Sequence, residues 1–211
     1  MKLILPPKGT LVPNDEHDPL PYYYQPIIGA LFRHRLTMGL SLMPAKRDRI
    51  LEVGVGSGIL VTTLSSNCSE YTGTDLVLAP NLERLVPPTC KATFRPADLL
   101  DPGSLPENHY DVVICLSVLE HIADCNGAAG ALARVLVGGG TLIAGFPMVN
   151  AFMSKAFRAI GFDNIEAHHV SSPKQLSTAL SRVLRPVART ALPPFSPTGF
   201  SLYQCGAWVK A

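Results

Sequence analysis

Short, continuous apolar runs alternate with segments of helical spacing along most of this chain. Strands are predicted over Arg49–Val53, 71–75, 91–95, 111–116 and 140–146, with helices over 57–66, 80–85 and 118–136 between them. Val112 to Leu116 is apolar throughout, as expected of a strand buried on both faces. Upstream, a Pro-rich arm runs to Pro26 and leads into a helix over Ile27–Leu42 with apolar residues at Ile27, Ile28, Leu31, Leu36 and Leu40. Downstream, an amphipathic run from Ala151 to Ile160 ends at Gly161, and Ser172 followed by Pro173 starts a helix that reaches Leu184. Arg185–Leu192 and Ser201–Lys210 read as two short strands, and Pro186 places the first at a sheet edge, where a missing donor is tolerated. Such alternation predicts an α/β fold with a parallel sheet, helices on both faces and a ligand site beyond the carboxyl ends of the strands.

The first strand runs into Glu52-Val53-Gly54-Val55-Gly56-Ser57-Gly58, an acidic residue followed by three alternate glycines and an apolar helix start. Bare backbone at such a turn comes close to a ligand, and the helix that follows offers unpaired N–H groups to an anion. The spacing narrows the choice. A dinucleotide fingerprint needs glycine at position 59, which is Ile, and the Gly-Lys-Ser/Thr of a P-loop is absent. Asp75 ends the next strand, 21 residues after Gly54, where a carboxylate can accept two hydrogen bonds from ribose hydroxyls. Further on come Arg95-Pro96-Ala97-Asp98-Leu99-Leu100 and the run from Tyr110 to Ile122, which contains Leu116-Ser117-Val118-Leu119-Glu120-His121.

In this order the motifs resemble the class I S-adenosylmethionine-dependent methyltransferases, in the subgroup that includes ubiquinone and menaquinone biosynthesis enzymes. The resemblance covers residues 49 to about 146 with specific motifs and the remainder more loosely. It implies a Rossmann-like, doubly wound, seven-stranded sheet with an antiparallel final strand. S-adenosylmethionine is the implied cofactor, held by Glu52, Gly54, Gly56, Gly58, Asp75, Leu76, Asp98, Leu99, Leu116 and Ser117. Asp98 matches the residue that meets the adenine amino group. The implied chemistry is methyl transfer to a small-molecule or lipid-type acceptor, most readily at oxygen. His121 is the candidate base, because it follows the fourth strand at the ligand edge and an imidazole can take up a proton there. Tyr22, Tyr23 and His168 are expected on the acceptor side, with Tyr24 and His169 beside them. The N-terminal arm and the interval from Pro147 to His169 are expected to close over the site as a lid. Three alternatives stay open: a methyltransferase-like protein that binds cofactor without turnover, a methyltransferase acting on protein or nucleic acid, and, more remotely, a nicotinamide oxidoreductase, whose sheet is similar.

At 211 residues and 47% hydrophobic, the chain has the size of one α/β domain. Its expected parts are the arm and first helix (1–48), a cofactor-binding core (49–146), a substrate-covering insertion (147–170) and a C-terminal helix with edge strands (171–211). Five cysteines lie scattered without C-x-x-C pairs, which points away from a zinc site or a disulfide framework and towards the cytoplasm. Met1 to Pro7 is too short and too quickly broken for a signal peptide, and Gly138-Gly139-Gly140 interrupts the most apolar later stretch, so no transmembrane segment is expected. The net charge of +2 divides into +5 over 171–211 and −3 elsewhere. A basic segment of this kind can draw an anionic acceptor or touch an acidic membrane surface, or can serve solubility alone. Nucleic acid is not expected as a partner, because aromatic residues are not interleaved with the basic ones.

Overall fold

A computed structural model describes residues 1–16, 18–148, 169–194 and 201–211. Its strands are β1 (Arg49–Val53), β2 (Glu70–Asp75), β3 (Lys91–Pro96), β4 (Tyr110–Leu116), β5 (Leu136–Pro147), β6 (Arg185–Leu192) and β7 (Tyr203–Val209). They form one seven-stranded sheet in the order β3-β2-β1-β4-β5-β7-β6. The first five strands are parallel, and β7 runs antiparallel to both β5 and β6.

Side-chain alternation along the strands divides the core between the two faces. Ile50, Tyr71, Val112, Ile114 and Ile143 point to one face, where they pack with Phe32, Leu36 and Leu40 of α2 (Ile28–Ser41) and Val61 and Leu64 of α3 (Val61–Ser65). Leu51, Val113, Cys115, Leu142 and Ala144 point to the other. There they meet Ala128, Ala129 and Leu132 of α4 (Cys125–Val135) and Leu176 and Leu180 of the C-terminal helix Pro173–Val183. Small alanines on α4 let that helix approach the sheet closely. The C-terminal helix starts as predicted, with Pro173 in its first turn and a reciprocal capping box between Ser172 and Gln175. At the amino ends of the strands, Asp111 is buried and accepts from the Arg49 backbone N–H at 2.9 Å and its guanidinium at 3.3 Å, which pins β1 to β4.

Three expectations need correction. The helix predicted over 118–136 is broken: a 3₁₀ turn covers Leu119–His121, Ile122 is extended, and α4 begins only at Cys125. Asp124 explains the break, because its side chain accepts from the Gly127 N–H at 2.9 Å and so caps a new helix instead of continuing the old one. The helix predicted over 57–66 starts late, at Val61, since Gly58 has φ of +87°. The strand predicted over 140–146 begins earlier, at Leu136, directly after α4, and within the Pro-rich arm Leu20–Tyr23 forms a short helix, α1. The run Ala151–Ile160 lies outside the described residues. No helix among the described residues is long and apolar enough to cross a membrane.

Candidate functional site

Parallel register brings the carboxyl ends of the central strands to one edge. Val53 pairs with Thr74 of β2 and with Cys115 of β4, so Glu52, Asp75 and Ser117 converge from three strands. From that edge the glycine run turns back on the sheet. Gly54 and Val55 donate to the Thr74 carbonyl at 2.8 and 3.0 Å, and Gly56 N–H donates to Asp75 Oδ2 at 2.8 Å. Asp75 Oδ1 accepts from the Leu76 N–H, also at 2.8 Å, so the carboxylate is oriented by backbone on both oxygens.

Above this turn lies a cavity of about 750 Å³, within the roughly 300–1,000 Å³ of small-molecule sites. Gly54 and Gly56 play different parts in it. Both have positive φ, +80° and +50°. A Cβ on Gly54 would stand 2.1 Å from Val118 Cγ2, whereas one on Gly56 would meet only Asp18 Oδ2, at 3.6 Å, and would project into open cavity. A cradle of that kind fits a ligand that lies directly on the backbone.

Glu52 sits at the cavity base, buried, with one carboxylate oxygen accepting from the Tyr71 hydroxyl. Burial raises its pKa to about 8; the Tyr71 hydrogen bond pulls it down and the charge of Asp75 pushes it up. Glu120, behind the wall, is pushed to about 7, again by burial. Since both carboxyls hold their protons more tightly folded than unfolded, they favour the folded state most at low pH. That contribution is lost as pH rises from about 4.5 through about 8. The melting temperature of the ligand-free protein should therefore fall across this window, and Glu52→Gln should flatten the fall. An unchanged slope in the variant, measured by thermal denaturation in matched buffers, would contradict the assignment.

The other end of the cavity carries a second group of polar side chains. His121 and His169 line it with ring centroids 5.4 Å apart, and together with Glu120 they offer ligand atoms within 4.8 Å of one another, a set able to share a proton or a cation. Ser117 has φ of +59°, a conformation that costs a non-glycine residue roughly 1–3 kcal/mol and concentrates at functional sites. It is held there by its N–H on the Gly145 carbonyl at 2.7 Å and its hydroxyl against the Tyr203 hydroxyl at 2.9 Å. Arg35 lies over the Phe32 ring at 4.0 Å, lines the cavity, and has a buried Nε without a hydrogen-bond partner. Among the described lining residues it is the one Lys or Arg.

Of the residues expected from sequence, Glu52, Gly54, Gly56, Asp75, Leu76, Asp98, Leu99, Leu116, Ser117, His121 and Tyr23 all line this cavity. Gly58 does not. A Cβ there would meet Leu82 at 2.6 Å and Leu85 at 2.9 Å, so its place is in packing against the Leu82–Leu85 turn. Tyr22 is also off the wall and stacks with Phe32 at 5.5 Å. His168 lies outside the described residues, although His169 is on the wall. None of the five cations of segment 171–211 lines the cavity. Arg182 and Lys210 instead bond to Asn126 and Asn108, and Arg185 and Arg189 are exposed on edge strand β6. The expectation that this segment draws an anionic acceptor into the site therefore finds no support in the cavity wall, where Arg35 of α2 is the cation present among the described lining residues.

The arm does reach the site: Asn14, Asp15, Asp18 and Pro19 line the cavity, and Asp18 Oδ1 accepts from the Ser57 hydroxyl at 3.3 Å. It is anchored, however, with Leu11, Leu20 and Tyr23 in the core and Ile4 bonded to Thr63. Removing the arm would therefore cost folding, because it strips these residues from the core.

Residues 51–144 match the family model described as a methyltransferase domain. The ubiquinone biosynthesis O-methyltransferase of Nitrosospira multiformis is 30% identical over 131 residues, 61% of this chain and 52% of that protein. Its counterpart in Alkalilimnicola ehrlichii is 33% identical over 98 residues, 45% of this chain and 40% of that protein. The chain thus spans about half the length, or less, of these curated relatives. Among solved structures, the N-methyltransferase NodS from Bradyrhizobium japonicum WM9, in complex with S-adenosyl-L-homocysteine, aligns with a TM-score of 0.62 at 18% identity. That alignment covers 92% of this chain and 93% of NodS. A geranyl diphosphate methyltransferase in complex with GPP and sinefungin aligns at 0.67 and 15%, covering 88% and 81%. At these identities the likeness is one of fold.

Proposed function

We propose that this chain is a class I S-adenosylmethionine-dependent methyltransferase that methylates a small-molecule or lipid-type acceptor at oxygen. The observation that carries this reading is the Gly54–Gly56 turn, held by Asp75 and open to a cavity exactly where a side chain would block it. The names of the two curated relatives supply the preference for oxygen. Bound here, S-adenosylmethionine supplies a methyl group already activated on sulfur.

The residues then divide the work. Of the residues that would hold the cofactor, Asp75 would accept from the ribose hydroxyls, Leu76, Leu99 and Asp98 would take the adenine, and the Gly54–Gly56 backbone would receive the methionine part. Arg35 would face the methionine carboxylate or an anionic group of the acceptor, and Glu52, which holds its proton at neutral pH in the ligand-free protein, would ionise when the cationic end binds beside it. His121 takes the proton of an acceptor hydroxyl, with Ser117, Tyr203 and His169 around it. Alignment of donor and acceptor with water excluded contributes the most, about 7–11 kcal/mol in well-held systems. The cytoplasm, whose reducing thiol pool suits a chain with five free cysteines, is the proposed location.

Incubation with isotopically labelled methyl donor and fractionated metabolite and lipid extracts tests this reading. The expected product carries the label on oxygen of a small molecule or lipid. Label found only on protein or nucleic acid would overturn it.

A further inference from the structure

Away from the cofactor cavity, at the opposite ends of the strands, two thiols face each other across neighbouring loops. Cys68 precedes β2 and Cys90 precedes β3, and their Sγ atoms are 3.8 Å apart. Backbone bonds hold both loops in place. Ser69 and Glu70 donate to the Asp48 carbonyl, Lys91 donates to the Ser69 carbonyl at 2.9 Å, and Cys90 donates to the Pro87 carbonyl. The adjoining residues Glu70 and Lys91 are register partners in the parallel ladder. The other three cysteines sit elsewhere: Cys115 and Cys205 are buried in separate core clusters, and Cys125 lies against Ser171.

We propose that Cys68 and Cys90 form a reversible disulfide that fastens β2 to β3 when the protein meets an oxidising low-molecular-weight disulfide. Cys68 is half-buried and Cys90 buried, so the order of events follows from access. Cys68 gives up its proton, and the thiolate attacks one sulfur of the oxidant and expels a small thiolate. Cys90 then loses its proton and attacks the Cys68 sulfur of the mixed disulfide, which expels the second small thiolate. The two protein thiols lose two electrons, the oxidant gains them, and the two released protons end on its two thiols. Burial raises the pKa of both cysteines, so the reaction is slow at neutral pH and quickens as pH rises.

The test uses the intact folded protein incubated with glutathione disulfide, quenched in acid, alkylated and digested for mass spectrometry. A linked Cys68–Cys90 peptide is expected, with Cys115 and Cys205 still alkylated after unfolding. Because the bond closes a loop between residues 22 apart, the oxidised protein should melt roughly 5–10 °C higher, and dithiothreitol should reverse the shift. Cys68→Ser and Cys90→Ser should each abolish both the linked peptide and the shift. Two thiols that stay free, a glutathione adduct at Cys68 that never resolves, or a linked form that melts no higher would each overturn the proposal. Peptide mapping of the wild type decides the question even where a serine variant folds poorly.

Discussion

Gly56→Val is expected to weaken binding of S-adenosylhomocysteine by at least roughly 100-fold, the equivalent of about 2.7 kcal/mol, while leaving the sheet folded. A side chain at this position enters open cavity, with only Asp18 Oδ2 within 4 Å. It therefore takes ligand space and displaces little protein. The φ of +50° adds strain, since a branched side chain disfavours the left-handed region, but the loop is short and exposed to the cavity. Gly54→Val serves as the contrast. Its Cβ would stand 2.1 Å from Val118, so that variant should lose stability by about 2–4 kcal/mol as well as binding. Calorimetric titration and thermal denaturation of the two variants separate the cases. Near-normal affinity in Gly56→Val would mean that the glycine run is only a turn.

His121→Ala is expected to lower turnover by roughly 10²–10⁴-fold at near-constant cofactor affinity, because a base acts on the acceptor's proton and not on the donor. The imidazole lines the cavity beside His169 and follows Ser117, which the strand end holds in a strained conformation. An acceptor that is already ionised would shrink the loss and leave alignment to carry the rate. Single-turnover rates over a pH series, with cofactor affinity measured in parallel, distinguish these outcomes. Equal losses in affinity and turnover would assign His121 to the cofactor pocket or to structural support.

What sequence made legible follows from local physics. β1 was predicted with its observed bounds, Arg49–Val53, because an apolar run between a charged loop and a glycine turn has few alternatives. Glu52, Gly54, Gly56 and Asp75 were identifiable because strand ends in a parallel sheet gather at one edge, so a spacing in sequence becomes a proximity in space. Gly58 shared the same pattern, yet the residue its Cα faces, Leu82, belongs to a different element and is set by packing. Arg35 and Tyr203 came from α2 and the last strand, which no local signal links to the glycine turn. Asp18, in the arm, was equally hidden, since it reaches the site through contacts with Asn14, Leu20 and Ser57. The break at Asp124 was available as a helix-capping signal, but the apolar spacing of Val118, Leu119 and Ile122 masked it.

Calorimetric titration of the wild-type protein with S-adenosylhomocysteine, and separately with NAD, tests the central claim most directly. A saturable one-to-one isotherm with S-adenosylhomocysteine and none with NAD is the predicted result. Binding of NAD in preference, or no heat from S-adenosylhomocysteine with a protein shown to be folded, would contradict the assignment of this cavity.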